Sequence, residues 1–407
     1  MFTWWSEGSP QARKALLAAG LGWMLDAFDV MLYALVLADI MRELSISRET
    51  AGALGSLTLL ASAAGGIAFG VVADRYGRTR ALIASVLIYS IFTAACGFAQ
   101  TVAQLAVFRI FLGIGMGGEW ASGAALVSET WPAQHRGKAL GLMQSAWAVG
   151  YGAAALVTGL VLPVWGWRAV FFIGILPAFF TLWVRRSVEE PALWQAAARA
   201  RTSWSEALEA MFLPPMLGLT LAVTIMNAFT MFAWWGFNLW LPSYLRSPAA
   251  QGGVGLSPQV MAMFVLAMQV GMWFGYVTFG FISDRIGRKR TYIGYLLTAA
   301  VLLYVYVSIR QPTALLVLGP FVAFVATGYF SGFGAVTAEI YPTAIRATAQ
   351  GFTYNIGRIA SAVAPLAVGT LAETQGFGAA LSMSSLAFLL AAVTWIWIPE
   401  TRGRQLL

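Results

Sequence analysis

A charged motif occurs twice in this chain, and its two copies are 210 residues apart. The segment Gly70-Val-Val-Ala-Asp74-Arg75-Tyr-Gly77-Arg78 returns as Gly280-Phe-Ile-Ser-Asp284-Arg285-Ile-Gly287-Arg288. A second segment, Glu129-Thr-Trp-Pro132 with Arg136 and Gly141, returns at the same spacing as Glu339-Ile-Tyr-Pro342 with Arg346 and Gly351. Two unrelated motifs that share one spacing indicate that the whole chain is a duplication.

The composition requires hydrocarbon as the solvent for most of the chain. Of 407 residues, 59% are hydrophobic and only 10% are charged, whereas about 25% are charged in a soluble domain. One histidine, His135, and one cysteine, Cys96, are too few for a disulfide or a zinc site. We therefore expect no metal site and no enzyme. The net charge of +8 comes from short basic loops, which argues against nucleic-acid binding.

Twelve apolar segments are each long enough to cross about 30 Å of hydrocarbon. We number them spans 1 to 12, with limits 15–40, 51–73, 80–99, 101–123, 138–162, 167–184, 214–243, 258–282, 291–309, 313–337, 347–371 and 377–398. They predict an all-α integral membrane protein of two six-helix repeats. The expected division is an N-terminal bundle at 1–184, a cytoplasmic linker at 185–212 and a C-terminal bundle at 213–407.

The basic residues predict the orientation. Of 25 lysines and arginines, 18 lie in loops on the side of the N-terminus, five lie on the opposite side, and Arg109 and Arg358 lie inside spans. Because basic residues concentrate in cytoplasmic loops, we expect a multi-pass protein of the cell (inner) membrane with both termini in the cytoplasm. Below, "inner" denotes the side of the termini and "outer" the opposite side.

The motifs resemble those of the major facilitator superfamily. Both copies of the first motif match its Gly-x-x-x-Asp-Arg-x-Gly-Arg signature, and Arg109-Ile-Phe-Leu-Gly113-Ile-Gly115 is similar to its Arg-x-x-x-Gly-x-Gly motif. Three segments look like the sialate and monocarboxylate proton symporters: Gly22-Trp-Met-Leu-Asp26-Ala-Phe-Asp29, Gly115-Met-Gly-Gly-Glu119-Trp and Glu129-Thr-Trp-Pro132. Nicotinate and aromatic-acid carriers share Trp240-Leu-Pro242. The histidine-bearing motif of the fungal lactate carriers is absent from span 7.

This resemblance implies the major facilitator fold, alternating access, and a monomer that needs no cofactor and uses the proton as its coupling ion. We expect a proton-coupled symporter that imports a small organic anion, with a monocarboxylate such as lactate or pyruvate as the leading candidate. Sialic acid, nicotinate or another aromatic acid, and drug/proton antiport are the alternatives.

Five charged residues inside the spans have no charged counterpart 210 positions away: Asp26, Asp29, Arg109, Glu119 and Arg358. A charge in the hydrocarbon core costs at least about 3 kcal/mol on insertion scales, so these residues are functional candidates. At 1.5 Å per residue, Asp29 and Arg109 lie at a similar depth, and related proton symporters pair a span 1 aspartate with the span 4 arginine. We expect Asp26, Asp29, Arg109 and Glu119 to couple protons. The alternatives are a permanent pair between spans 1 and 4 and a packing role for Glu119.

Arg358 lies near the middle of span 11, where its guanidinium can present two parallel donors to a substrate carboxylate. The alternative is an ion pair with an acid of the N-terminal half. The other residues expected around the substrate are Tyr354, Asn355, Gln144, Trp147, Tyr151, Asn227 and Trp234. Trp235 is a further aromatic candidate for the cavity wall, although aromatic residues at helical spacing more often pack or face lipid.

The duplicated charges lie at the inner ends of the spans, where an acid of one loop can pair with an arginine of the next. We expect them to form a cytoplasmic gate: Asp74, Arg75, Arg78, Glu129, Arg136, Asp284, Arg285, Arg288, Glu339 and Arg346. The alternative is that the arginines only set the orientation, but the positive-inside rule does not require the acids.

Overall fold

The computed structural model describes residues 3–190, 209–342 and 345–402, and these residues form helices joined by short connections, without a strand. The helices of the N-terminal half are Thr3–Glu7, Pro10–Glu43, Arg48–Tyr76, Arg78–Cys96, Val102–Thr130, Ala133–Ile173 and Leu176–Ser187. Those of the C-terminal half are Met216–Arg246, the 3-10 turn Ala249–Gln251, Pro258–Ile286, Arg288–Ser308, Pro312–Gly328, Phe330–Ile340, Arg346–Ser361 and Val363–Thr394.

The helices account for the twelve predicted spans. Nine helical stretches in the described part of the chain are long and apolar enough to cross a membrane. Two of them, Gly137–Val184 and Ala349–Thr394, contain 48 and 46 residues, so each holds two spans. Span 1 is the 34-residue helix Pro10–Glu43, which completes the twelve. The all-α, twelve-span prediction is therefore confirmed.

The duplication is visible in the backbone as well as in the sequence. Gly77 and Gly287 have φ values of 117° and 105°, and each separates two consecutive helices at the inner side. Gly166 and Gly376 have φ values of 75° and 81° and mark the kinks that separate spans 5 and 6 and spans 11 and 12. Both pairs are 210 residues apart. Glycine adopts positive φ without the steric cost that a Cβ imposes, so these four turns require it.

The two halves meet along a seam that contains most of the unrepeated charges. Span 1 packs against span 7, span 2 packs against both helices of the 346–394 segment, and span 5 packs against span 8. Helix Arg346–Ser361 ends four residues before Pro365, whose missing N–H leaves the Ser361 carbonyl without its helical donor. Residues 191–208 of the predicted linker lie outside the described residues, so the domain boundaries stay a prediction.

Candidate functional site

A cavity of about 40 Å³ lies on the seam between the two halves. The residues that line it are Trp23, Gln144, Trp147, Met231, Trp234, Trp235, Tyr276, Phe330, Tyr354 and Arg358. Seven of these ten carry an aromatic ring, and the guanidinium of Arg358 is the one charged group in the lining. The volume holds one or two water molecules, so an organic ligand requires the walls to move apart.

The cavity carries polar atoms that lack a partner. Within the described residues, the indole Nε1 atoms of Trp23, Trp147 and Trp234 and the amide Oε1 of Gln144 are buried without a hydrogen bond. The Trp147 ring lies at the centre, with its centroid 4.7 Å from that of Trp23, 5.7 Å from Trp234 and 6.3 Å from Trp235. Buried polar groups normally have partners, so these donors and this acceptor are suited to a bound ligand.

The structure divides the residues expected around the substrate into two groups. The residues that line the cavity are Arg358, Tyr354, Gln144, Trp147, Trp234 and Trp235. Tyr151, Asn227 and Asn355 do not, because their side chains bind backbone carbonyls of Asn238, Thr353 and Gly351, at 3.4, 3.1 and 3.0 Å respectively.

Sequence reasoning missed Trp23, Met231, Tyr276 and Phe330, which come from spans 1, 7, 8 and 10. Trp23 lies three residues before Asp26, and this helical spacing could have pointed to it. The other three have no sequence signal that separates them from packing residues.

Three buried charges gather beside the cavity. Asp26 and Glu119 are 1% and 0% exposed, and Arg358 is 3% exposed. Arg358 is close enough to act electrostatically on both carboxylates, without a direct ion pair to either. Glu119 lies against the backbone of span 1, where a Cβ on Gly22 would be 2.6 Å from its Oε1. Two acids of the N-terminal half therefore face one arginine of the C-terminal half.

The expected pair of Asp29 with Arg109 is not formed. The Arg109 guanidinium lies over the Tyr33 ring, with Cζ 3.6 Å from the centroid, and Nε is 3.5 Å from the Leu54 carbonyl oxygen. Asp29 faces Thr93 of span 3 instead. Side chains tilt toward the N-terminus of their helix, and spans 1 and 4 run in opposite directions. Asp29 therefore points inward and Arg109 outward, so equal depth along the helices was the wrong criterion for pairing.

The outer side of the seam is closed by polar contacts that the sequence did not predict. Arg246 of span 7 forms a two-pronged ion pair with Asp39 of span 1, and Arg42 contacts the same carboxylate at 3.0 Å. Arg48 donates to the Ala372 carbonyl at 2.6 Å, and the Leu366 N–H donates to Ser56 Oγ at 3.1 Å. In the sequence, Arg48 and Arg246 were notable only as two of the five basic residues on the outer side.

The inner side of the cavity is covered by a ring pair. Trp120 of span 4 and Tyr354 of span 11 stack across the seam with centroids 4.2 Å apart and planes 6° apart. Phe333 adds a tilted contact to Tyr354, at 5.9 Å. The stacked rings thus join the two halves on the inner side of the cavity.

The duplicated charges form one cluster in each half. Arg78 pairs with Glu129 at 2.9 Å, and Arg288 pairs with Glu339 at 3.1 Å and with Asp284 at 2.5 Å. Arg75 and Arg285 are exposed, and the side chains of Asp74, Arg136 and Arg346 lie outside the described residues. The ion pairs seen between described side chains at the inner ends each join residues of the same half. The predicted gating role stays a prediction.

A third duplicated pair supports these clusters, and sequence reasoning missed it. Glu190 accepts the backbone N–H groups of Thr79 and Arg80, both at 3.2 Å, and Glu400 accepts those of Arg288 and Lys289 at 2.8 and 3.2 Å. Glu190 and Glu400 are again 210 residues apart, which was the available signal. Partial burial raises the pKa of Glu400, but its backbone N–H donors outweigh this and hold the pKa below its ordinary value.

Comparison with known proteins decides the family. The model of the family described as "Major Facilitator Superfamily" matches residues 19–277 and 247–406. The chain belongs to the Major Facilitator Superfamily. The cis,cis-muconate transport protein of Acinetobacter baylyi is 31% identical over 95% of this chain and 94% of its own length. The niacin transporter of the same organism is 29% identical over 96% and 94%.

The fold of this major facilitator protein is also that of a solved relative. The crystal structure of a D-xylose-proton symporter superposes with a TM-score of 0.79 at 20% identity, covering 97% of this chain and 100% of that one. This major facilitator protein is therefore a multi-pass membrane transporter and not an enzyme. Its narrower branch within the superfamily stays a prediction.

Proposed function

We propose that this transporter is a proton-coupled symporter that imports a small organic anion through the cell membrane by alternating access. The observation that carries the proposal is the single guanidinium of Arg358 in a cavity whose other lining residues are mostly aromatic. A carboxylate accepts two parallel hydrogen bonds from a guanidinium, and a flat ring fits between other rings.

The cavity favours a planar aromatic monocarboxylate, such as nicotinate or benzoate, over lactate or pyruvate. A two- or three-carbon acid satisfies Arg358 but leaves most of the seven rings without contact. A dicarboxylate places its second charge against those rings, where no second cation lines the cavity. The related niacin transporter is named for a planar aromatic monocarboxylic acid, which supports this choice, whereas the muconate in the other relative's name is a dicarboxylate.

The charges beside the cavity supply a coupling mechanism. In the empty protein, the charge of Arg358 offsets part of the cost that burial imposes on an ionised Asp26 or Glu119. When a substrate carboxylate occupies Arg358, this offset is lost, and Asp26 or Glu119 takes up a proton. Anion and proton then enter together. Arg109, which does not contact either acid, influences them only at a distance.

The test is uptake into proteoliposomes of radiolabelled nicotinate, benzoate, lactate, pyruvate, sialic acid and glucose, with and without an inward proton gradient. We expect gradient-driven uptake of an aromatic acid, abolished by Arg358→Gln. Arg290→Gln, which removes an exposed arginine at the inner surface, is the matched control and should transport normally. Normal uptake by Arg358→Gln would contradict the proposal, as would transport of an amphiphilic cation in exchange for protons.

A further inference from the structure

Arg109 is a buried cation that has no counter-ion in the part of the chain that the structure describes. Its side chain is 1% exposed, its Nη1 has no hydrogen-bond partner among the described residues, and its strongest contact is the Tyr33 ring. The face of an aromatic ring stabilises a buried cation less than a neighbouring carboxylate would. The protein therefore maintains an anion-binding group inside the membrane that the cavity around Arg358 does not use.

A small space of about 10 Å³ adjoins Arg109 at the seam. The N-terminal half contributes Val30, Gly55 and Thr58 to its wall, and the C-terminal half contributes Trp235, Leu239 and Pro365. Pro365 lies seven residues beyond Arg358, or about 10 Å farther toward the outer side. The space is thus on the outer side of the main cavity.

The outer wall of this space is a contact between the halves. A Cβ at Gly55 would lie 2.7 Å from Leu239 Cδ2 and 3.1 Å from Pro365 Cβ. The Asp39–Arg246 pair and the Arg48 contacts lie farther outward. When the outer side opens, these contacts separate, and Arg109 becomes the first intramembrane cation that an incoming anion meets.

One side chain separates the two spaces. Trp235 lines both the space beside Arg109 and the cavity beside Arg358. Its ring is held by Trp234, with centroids 4.9 Å apart. A rotation of the Trp235 side chain would connect the two spaces.

We propose that Arg109 forms an outer carboxylate-binding subsite that receives the anion before it passes Trp235 to Arg358. The subsite takes the same ligand class as the main cavity and therefore rests on the proposed function. Thr58 lines the same space, and its hydroxyl donates to its own helix, at Leu54 O, 3.0 Å away, so a residue at position 58 reports on the space without supplying the charge that binds the anion.

The test is protection of a thiol introduced at position 58. In a Cys96→Ser background, which removes the one native cysteine, Thr58→Cys is combined with Arg246→Gln to weaken the outer closure and Arg358→Gln to disable the main cavity. A membrane-impermeant anionic thiol reagent is added outside right-side-out vesicles. We expect benzoate at about ten times its Kd to slow labelling about tenfold, and Arg109→Gln to remove this protection. Benzyl alcohol, which lacks the carboxylate, should not protect.

Glu49→Cys, at the exposed outer end of span 2, controls for reagent access and should label equally with and without benzoate. Equal labelling of the Thr58→Cys thiol with and without benzoate while Arg109 is present would overturn the subsite, as would protection that survives Arg109→Gln. Absence of labelling in every variant would overturn it too, because a receiving subsite must face the outer solution. Uptake by the Cys96→Ser parent is measured separately, so a parent that transports, combined with a Thr58→Cys thiol that benzoate does not protect, refutes the subsite alone.

Discussion

Side-chain direction decides which buried charges meet. Asp26 and Arg358 lie on helices that run outward along the chain, so their side chains point inward. Glu119 lies on a helix that runs inward, so its side chain points outward. Glu119 and Asp26 therefore converge, although counting residues places Glu119 deeper. The same rule separates Asp29 from Arg109. The sequence could predict which residues are charged inside the membrane, but pairing them requires the direction of each helix.

This geometry distinguishes the two span 1 aspartates. We expect Asp26→Asn to reduce gradient-driven accumulation to the level seen without a gradient while substrate exchange continues, because the anion still binds Arg358 but no proton is taken up beside it. Asp29→Asn, which alters an acid directed at Thr93, should retain most of the accumulation. Parallel uptake and counterflow assays in proteoliposomes measure both properties. If Asp29→Asn shows the larger defect, the assignment of the proton to Asp26 is wrong.

At the scale of the helices, close backbone approach governs the packing of span 4. A Cβ at Gly117 would overlap the Ser62 carbonyl of span 2, and one at Gly113 would overlap the Thr58 carbonyl. Small residues at such positions let membrane helices approach. The glycine-rich stretch that carries Glu119 therefore serves to bring its helix against span 2.

Gly117→Ala should destabilise the protein by about 1–3 kcal/mol, because its methyl group forces the two backbones apart. Thermal unfolding of the detergent-purified protein provides the measurement. Gly294→Ala is the matched control, since a Cβ there meets no atom within 4 Å, and it should be neutral or stabilising by up to about 1 kcal/mol. Equal unfolding temperatures for both variants would show that span 4 tolerates the separation.

The element scale also shows where sequence reasoning stops. The twelve spans follow from the hydropathy of single segments, and the duplication follows from the 210-residue spacing of two motifs. The kinks at Gly166 and Gly376 lie between predicted spans and were first visible in the structure. The cavity wall combines side chains from spans 1, 5, 7, 8, 10 and 11, which depends on how the two halves face each other. Gln144 and Trp147 were predictable because they share a helix face, whereas Tyr276 and Phe330 were not.

At the scale of the molecule, the two closures of the seam differ in chemistry. The outer closure is ionic, at Asp39 and Arg246, and the inner closure is a stack of Trp120 on Tyr354. An ion pair separates more readily in water than in hydrocarbon because hydration replaces the partner. When the inner rings separate, they expose apolar surface to water, and the free-energy cost of this exposure grows with the exposed area.

Asp39→Asn should shift the population toward the outward-open state. Hydrogen–deuterium exchange in nanodiscs should speed up at the outer ends of spans 1 and 7 and slow down at the inner end of span 11. Because Asp39 and Arg246 share one interaction, the double variant Asp39→Asn, Arg246→Gln should change the exchange rates by less than the sum of the two single changes. Arg310→Gln, at an exposed outer arginine, is the control. Additive effects would indicate that the pair does not hold the outer side closed.

The placement of the buried acids and of Arg358 on opposite halves has an electrical consequence. Asp26 and Glu119 lie on helices of the N-terminal half, and Arg358 lies on a helix of the C-terminal half. Any motion that separates the halves at this depth therefore separates positive from negative charge. In the proposed symport of one monovalent anion with one proton, the cargo is neutral, so its passage moves no net charge across the bilayer, and the pH difference rather than the voltage is the source of work.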